Sequence, residues 1–351
     1  MKVLTIGTAT RDVIVSSRLF KIVHDPVHLK RLGFPTGEAQ CFALGGKIEI
    51  EEPIFALGGG AANSAVTFAR QGFITGSLIK IGKDQNGKEI LESLRKEKVR
   101  VVPIFDSRRG TAYSVILISP DGERTILNYR GASRDLLLSE IPRREFRADS
   151  VYVVPGAIGV PVIASIISKL KRRGALIAMN PSGHYLKLGI KKLRPIFDNL
   201  DIIILNREEA STLTGKKYED EKGIFKKFDE LVRGLAVMTD GPKGVMVSDG
   251  RRIYKAGIYK EKRVADRTGA GDSFGSGFVA GLLQASGNRY SLSSTGQREF
   301  REDDIIKGIK LGSANATSNV EKIGAQTGIL TRSEFVKDKR WRKLPIKIYK
   351  I

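Results

Sequence analysis

Asp272 follows the small-residue run Gly269-Ala270-Gly271 and precedes Phe274, Phe278 and Leu282, which recur at helical spacing. The pattern predicts a loop that opens a buried helix. A helix start presents unpaired backbone N–H groups and partial positive charge, and glycines there let an anion approach the backbone closely. A carboxylate in the first turn beside such an anion hole could take a proton from a hydroxyl being pushed towards a phosphate. An ordinary glycine-rich turn, whose Asp complements the helix dipole, accounts for the same residues.

Other residues could complete that chemistry. Gly58-Gly59-Gly60-Ala61-Ala62-Asn63 is a second glycine-rich helix start, a backbone that a ligand can touch, with Asn63 offering both donor and acceptor. It is not a dinucleotide fingerprint, because Asn63 stands where the last glycine would fall. Asp12 follows the apolar run Val3–Gly7 and is expected at the carboxyl end of a first strand, where it could hold substrate hydroxyls. A turn or cap is the alternative. Asn206 and Glu209 stand three apart on a predicted helix start, so they face the same way and suit Mg²⁺ through water. A capping box fits them equally. His24 and His28 have the spacing of a metal pair, but Pro26 lies between them and no acidic ligand pattern accompanies them, which predicts a surface loop. Cys41 is the single cysteine, so an internal disulfide and a cysteine-based metal cage are excluded.

Such residues must be carried by a scaffold that converges them. Ser150–Val154, Leu176–Met179, Asp201–Leu205 and Leu235–Thr239 read as strands, with a helix over Val160–Arg172. The alternation predicts an α/β fold with a mostly parallel sheet covered on both faces. Each strand ends in polar residues, so Asn180, Asn206 and the turn Thr239-Asp240-Gly241-Pro242-Lys243-Gly244 should line one rim. Residues 18–57 break the rhythm and read as a β-rich flap, with Gln40–Glu52 alternating like strands crossing at a turn. Thr111–Ser119 and Arg124–Tyr129 form a hairpin about Pro120-Asp121-Gly122, and with the flap they could make a small sheet.

Composition sets the limits. The 351 residues can bury a large core, and 41% apolar content with 38 glycines describes a folded chain. No run reaches the ~18 apolar residues of a membrane span, and the first residues lack a signal-peptide pattern, so a cytoplasmic location is expected. Sixty Lys and Arg against 38 Asp and Glu give a formal charge of +22. Such a balance favours anionic partners, nucleic acid or phosphorylated metabolites. The cations are dispersed, however, and dense only over residues 337–343, so most of them read as a solvated face.

Taken together these motifs resemble the ribokinase family of sugar and nucleoside kinases, the pfkB type. Asp266-Arg267-Thr268-Gly269-Ala270-Gly271-Asp272 is similar to its C-terminal signature, and Gly58–Asn63 through Gly82-Lys83-Asp84-Gln85-Asn86-Gly87 to its N-terminal one. Asn206-Arg207-Glu208-Glu209, the Thr239–Gly244 turn and Gly324-Ala325-Gln326 resemble the motifs about its nucleotide site. The resemblance spans roughly Val3 to Leu330. It implies a three-layer α/β/α ribokinase-like fold with a mostly parallel central sheet and a small β-rich lid. One domain over 1–351 would carry a lid from about 13–57 and 110–130, with 337–351 a basic tail.

The same resemblance implies a Mg-ATP-dependent transfer to a primary hydroxyl, with Asp272 as base and the anion hole at Gly269, Ala270 and Gly271. Asp12, Gly58, Gly59 and Asn63 would bind substrate hydroxyls, and Arg130 would face substrate as in some sugar and sugar-acid kinases. Asn206, Thr239, Gly241, Gly244 and Gly271 would bind ATP, with Ser313 on the adenine side. Glu209 and Asn206 would serve Mg²⁺ through water, and backbone carbonyls near Asp266, Thr268 and Gly324 a monovalent cation such as K⁺. The lid would double as a homodimer surface. Three departures stand out: Arg267 where a smaller residue is usual, Ser313 where some members place Asn, and a long 18–50 segment. The expected activity is phosphorylation of a small sugar, ribose or a related ketose. The alternatives are a nucleoside kinase and, from the charge, a nucleic-acid-binding or regulatory protein on a kinase fold.

Overall fold

Short aliphatic runs, each too brief for a helix and flanked by turns, make the centre of the molecule. In the computed structural model, which describes all residues except 35–36, 122, 288–290, 293–297 and 351, they form a ten-stranded sheet. Its order is Ile346–Lys350, Arg252–Ala256, Val245–Ser248, Leu235–Thr239, Ile202–Asn206, Leu176–Met179, Ser150–Val154, Lys2–Gly7, Ile74–Gly82 and Arg100–Asp106. From Leu235–Thr239 to Arg100–Asp106 all neighbours are parallel, and the other three strands add antiparallel at one edge.

Alternation along each strand divides the core in two. Val151 and Val153 pack with Ile163, Ile167 and Phe228, whereas Tyr152 and Val154 pack with Phe68, Phe278 and Ile309. The helices Val160–Lys171 and Glu221–Leu231 therefore cover one face, and Gly60–Arg70, Ala270–Ser286 and Glu302–Val320 the other. This is the expected three-layer α/β/α arrangement. On the second face a Cβ at Gly277 would stand 3.1 Å from Gly312 Cα, so the two long helices touch almost backbone to backbone.

The lid is a separate four-stranded sheet, ordered Ile54–Gly58, Thr10–Ser16, Tyr113–Ile118, Arg124–Tyr129. The hairpin about Pro120-Asp121 forms as expected, its Gly122 lying outside the described residues. Val13, Val15 and Phe20 are buried under this sheet. The flap differs from the sequence reading. Lys21–His24 pairs antiparallel with Glu38–Cys41, while residues 42–53 have no regular structure. Polar alternation without an apolar surface to bury does not hold a strand. His24 and His28 sit on a strand end and in the helix Pro26–Arg31, not in a loop, because Pro26 occupies the first helical turn, where its missing N–H costs nothing. Each pairs with an acid, Glu38 and Asp25, and no metal-holding cluster of His, Cys, Asp or Glu occurs among the described residues.

The stretch from Lys337, read as a basic tail, ends in a strand of the sheet. Ile346–Lys350 pairs with Arg252–Ala256, and Trp341 is buried edge-on to Tyr259, whose hydroxyl donates to the Trp341 carbonyl at 2.7 Å. Two buried aromatic rings outweigh the dispersed positive charge around them.

Candidate active site

The helix Ala270–Ser286 begins where the sequence placed it. Gly269 takes a left-handed conformation, φ 73° and ψ 5°, and a Cβ there would meet Ala325 at 2.7 Å, so only glycine fits. The amides of Gly271 and Asp272 head the helix, and Gly271 is exposed. Asp272 points back over Gly60, where an added Cβ would stand 3.1 Å from its Oδ1. Asn63 Nδ2 donates to Asp272 Oδ2 at 2.8 Å, and Gln326 Nε2 donates to Asn63 Oδ1 at 2.9 Å. Two glycine-rich helix starts and the late loop thus meet at one carboxylate. Burial pushes its pKa above the ordinary carboxylate value, and the Asn63 bond pulls the other way.

The second helix start works differently from the first. The Ala61 amide donates to the Thr8 carbonyl at 3.1 Å, so this backbone holds the chain rather than an anion. Gly58 and Gly59 permit close approach. A Cβ at Gly58 would lie 1.9 Å from Asp12 Oδ2, and one at Gly59 2.6 Å from the Thr8 carbonyl oxygen. Asp12 is not at the end of the first strand as expected. It lies inside the lid strand Thr10–Ser16, buried, with Thr10 Oγ1 donating to it at 2.9 Å. Burial raises its pKa, against hydrogen bonds from Thr10 and Ser114. Arg130 follows the strand Arg124–Tyr129, exposed on the lid, and no hydrogen bond or ion pair links it to Asp272.

On the other side of Asp272 a cleft is lined by Thr239, Gly241, Gly244, Gly271 and Ser313, five residues assigned to the nucleotide from sequence. It also includes Arg267, Phe274 and Glu261, with Ala316, Thr317 and Val320. The last three share a helical face with Ser313 at three- and four-residue spacing, a signal present in the sequence but unused. Asn206 is outside the lining and forms a full capping box: the Glu209 amide donates to Asn206 Oδ1 at 2.8 Å, and the Asn206 amide to Glu209 Oε2 at 3.0 Å. Burial raises the Glu209 pKa, its bond from the Asn206 amide opposes this, and the charges of Glu208 and Asp272 add to the rise. A carboxylate crowded by negative charge fits Mg²⁺ held mainly by phosphates and water, with one or two carboxylates assisting.

Two roles were not legible from sequence. Arg207, inside the Asn206–Glu209 motif, reaches Asp240 at 2.9 Å, and the Tyr218 hydroxyl donates to Asp240 at 2.5 Å, which anchors the Thr239–Gly244 turn. Asp84 accepts from the Thr111 amide at 2.7 Å and from Thr111 Oγ1 at 2.6 Å, pinning the lid strand to the core. At the anion-hole loop, Asp266 accepts from the amides of Thr268 and Gly324, at 2.8 and 3.0 Å. These three residues, expected to meet, do so through the Asp266 side chain.

The chain is similar in sequence and in fold to known kinases. The model of the pfkB family of carbohydrate kinases matches residues 38–332. The chain is 30% identical over 292 residues to a ribokinase of Haemophilus influenzae, covering 80% of this chain and 86% of that one. It is also 30% identical over 282 residues to a probable fructokinase-7 of Arabidopsis thaliana, covering 74% and 78%. Among solved structures, an Arabidopsis thaliana ribokinase complexed with ribose and ATP superposes with a TM-score of 0.73 at 21% identity, covering 97% and 98%. An adenosine kinase of Sinorhizobium meliloti gives 0.71 at 22% identity, covering 96% and 98%.

Proposed function

The chain belongs to the pfkB family of carbohydrate kinases, and on that premise we propose that it transfers the γ-phosphoryl group of ATP to a primary hydroxyl of a small sugar, ribose or a related ketose. The observation that carries this is the position of Asp272. It stands between the lid and the Thr239–Ser313 cleft, at the head of a helix, with a neutral amide rather than a cation as its partner. A carboxylate so held keeps enough basicity to accept the hydroxyl proton as the oxygen attacks phosphorus. The Gly269–Gly271 backbone then meets negative charge on the transferring group. Arg267, exposed in the cleft lining, is placed to add to it.

Asp12 and Asn63 hold the substrate's other hydroxyls, with Gly58 and Gly59 leaving them room, and Arg130 closes the lid side. Asn206 keeps its Nδ2 donor for a phosphate, since only its Oδ1 is used in the cap. Magnesium, when bound, would be held near Glu209 through water and would supply charge neutralisation for the phosphates. ATP as donor fits a cytoplasmic setting, and no helix among the described residues is long and apolar enough to cross a membrane. The lid face turned away from Asp12 exposes Phe55, Leu127 and Tyr129, which a second copy of the chain would cover.

Purified protein with ATP and a panel of pentoses, ketoses and nucleosides tests the reading through ADP release. Turnover of ribose or a ketose is expected. Turnover of a nucleoside alone would move the assignment to that branch, and release with none would overturn it.

A further inference from the structure

Arg124 opens the lid strand Arg124–Tyr129, yet its guanidinium leaves the lid. Nη1 donates to Thr268 Oγ1 at 3.1 Å and lies 3.5 Å from Asp266 Oδ1. Thr268 is the residue before Gly269, so a lid side chain touches the anion-hole loop itself. This is also where the family resemblance implies a monovalent cation, and the donors present decide whether such an ion fits. Asp266 Oδ1 already accepts from the Thr268 amide at 2.8 Å and from Thr268 Oγ1 at 2.6 Å. Its Oδ2 accepts from the Gly324 amide at 3.0 Å, and the Thr268 carbonyl from Asn319 Nδ2 at 3.1 Å. The one anionic group at these positions is therefore satisfied, and a cation already stands beside it. Asn319 Oδ1 is buried without a partner and would be open to an ion, but the guanidinium beside Asp266 puts a like charge where that ion would sit. The donors do not fit a bound monovalent ion.

A guanidinium fits them. It brings its own donors, stays charged at every working pH, and loses little freedom on docking its planar fork. We propose that Arg124 is the fixed cation of this loop: a positioning residue, carried by the lid, that does through Thr268 and Asp266 what a monovalent ion would otherwise do for the Gly269–Gly271 backbone. The charge beside the anion hole then arrives with the lid, and turnover needs no K⁺. This rests on the kinase reading above.

The test uses the full chain, its Arg124→Ala and Arg124→Lys variants, and KCl exchanged for tetramethylammonium chloride at constant ionic strength. Melting temperature decides without any substrate. The wild type should show no K⁺-specific rise, and Arg124→Ala should gain one, because Asp266 is released for an ion. A K⁺-specific rise in the wild type overturns the proposal, and so does its absence from both. With a phosphorylated substrate in hand, wild-type kcat should agree within about twofold between the two salts, while Arg124→Ala loses about 10- to 100-fold. Arg124→Lys, or added K⁺, should restore part of that loss. An unchanged kcat in Arg124→Ala, or a loss that neither restores, overturns it as well. If no hydroxyl compound is phosphorylated, the kinase reading falls, and the melting comparison still decides the role of Arg124.

Discussion

Two carboxylates, Asp201 buried and Asp272 half-buried, stand at opposite ends of the ten-stranded sheet and are given opposite company. At the amino-terminal rim Asp201 is met by Lys171 at 2.6 Å, by Arg298 at 3.0 Å and by the Ile177 amide at 2.8 Å. At the other rim Asp272 receives one neutral amide, from Asn63, and faces a helix start. The first arrangement spends the charge on holding strands together. The second leaves the charge available to a proton, and a local anion hole makes that availability useful. Asp229 marks the boundary of the comparison. It too lies at the amino-terminal rim and has a neutral partner, Ser248 Oγ at 2.9 Å, and burial above all raises its pKa to about 6, with Asp249 adding to the rise and the Ser248 bond opposing it. The helix start that lines its cleft carries Glu302, Asp303 and Asp304 in its first turn, so the backbone there is not open to an anion. A raised pKa alone therefore does not make a base.

The contrast can be broken by substitution. Asp272→Ala should lower kcat by about 10²–10⁴-fold while the urea midpoint stays put, and retained turnover would remove it as the base. Asp201→Ala should do the reverse, costing about 3 kcal/mol in urea unfolding because Lys171 and Arg298 lose their counter-charge, with kcat at 25 °C unchanged. Asn63→Ala sharpens the account of Asp272 itself. Its bond favours the ionised form, so its loss should raise the base's pKa further and shift the acid limb of kcat to higher pH; an unmoved limb would argue for a purely steric Asn63.

Asp229→Asn should give the smallest effect, and its sign depends on pH. The folded state favours protonated Asp229 and the unfolded state does not, so ionisation weakens the fold as pH rises from about 4 to beyond about 6. The Asn variant should gain about 1–2 kcal/mol at pH 8 and nothing near pH 4, by urea titration at both values.

Much of this was legible because the signals were local. The turns that present Thr239 and Asp272 follow from glycines and apolar runs that need only their neighbours in the chain. The Asn63–Asp272 contact joins residues 209 apart, and nothing in either segment announces it. Asp12 was placed on the wrong strand for a related reason: Val3–Gly7 and Thr10–Ser16 are separated by two residues, and only tertiary pairing sends them to different sheets. Arg207 looked like a spacer in a motif because its partner Asp240 belongs to another motif. The basic segment near residue 340 was judged by its charge, whereas Trp341 decided its fate.

The strand Lys2–Gly7 lies in the middle of the sheet, paired in parallel with Ile74–Gly82 on one side and Ser150–Val154 on the other. Its neighbours are synthesised long after it, so the centre of the sheet cannot zip until about 150 residues have emerged, which makes assembly slow and non-local. Until then an apolar edge-ready segment waits unpaired, and refolding at high protein concentration should lose yield to aggregation before it loses rate.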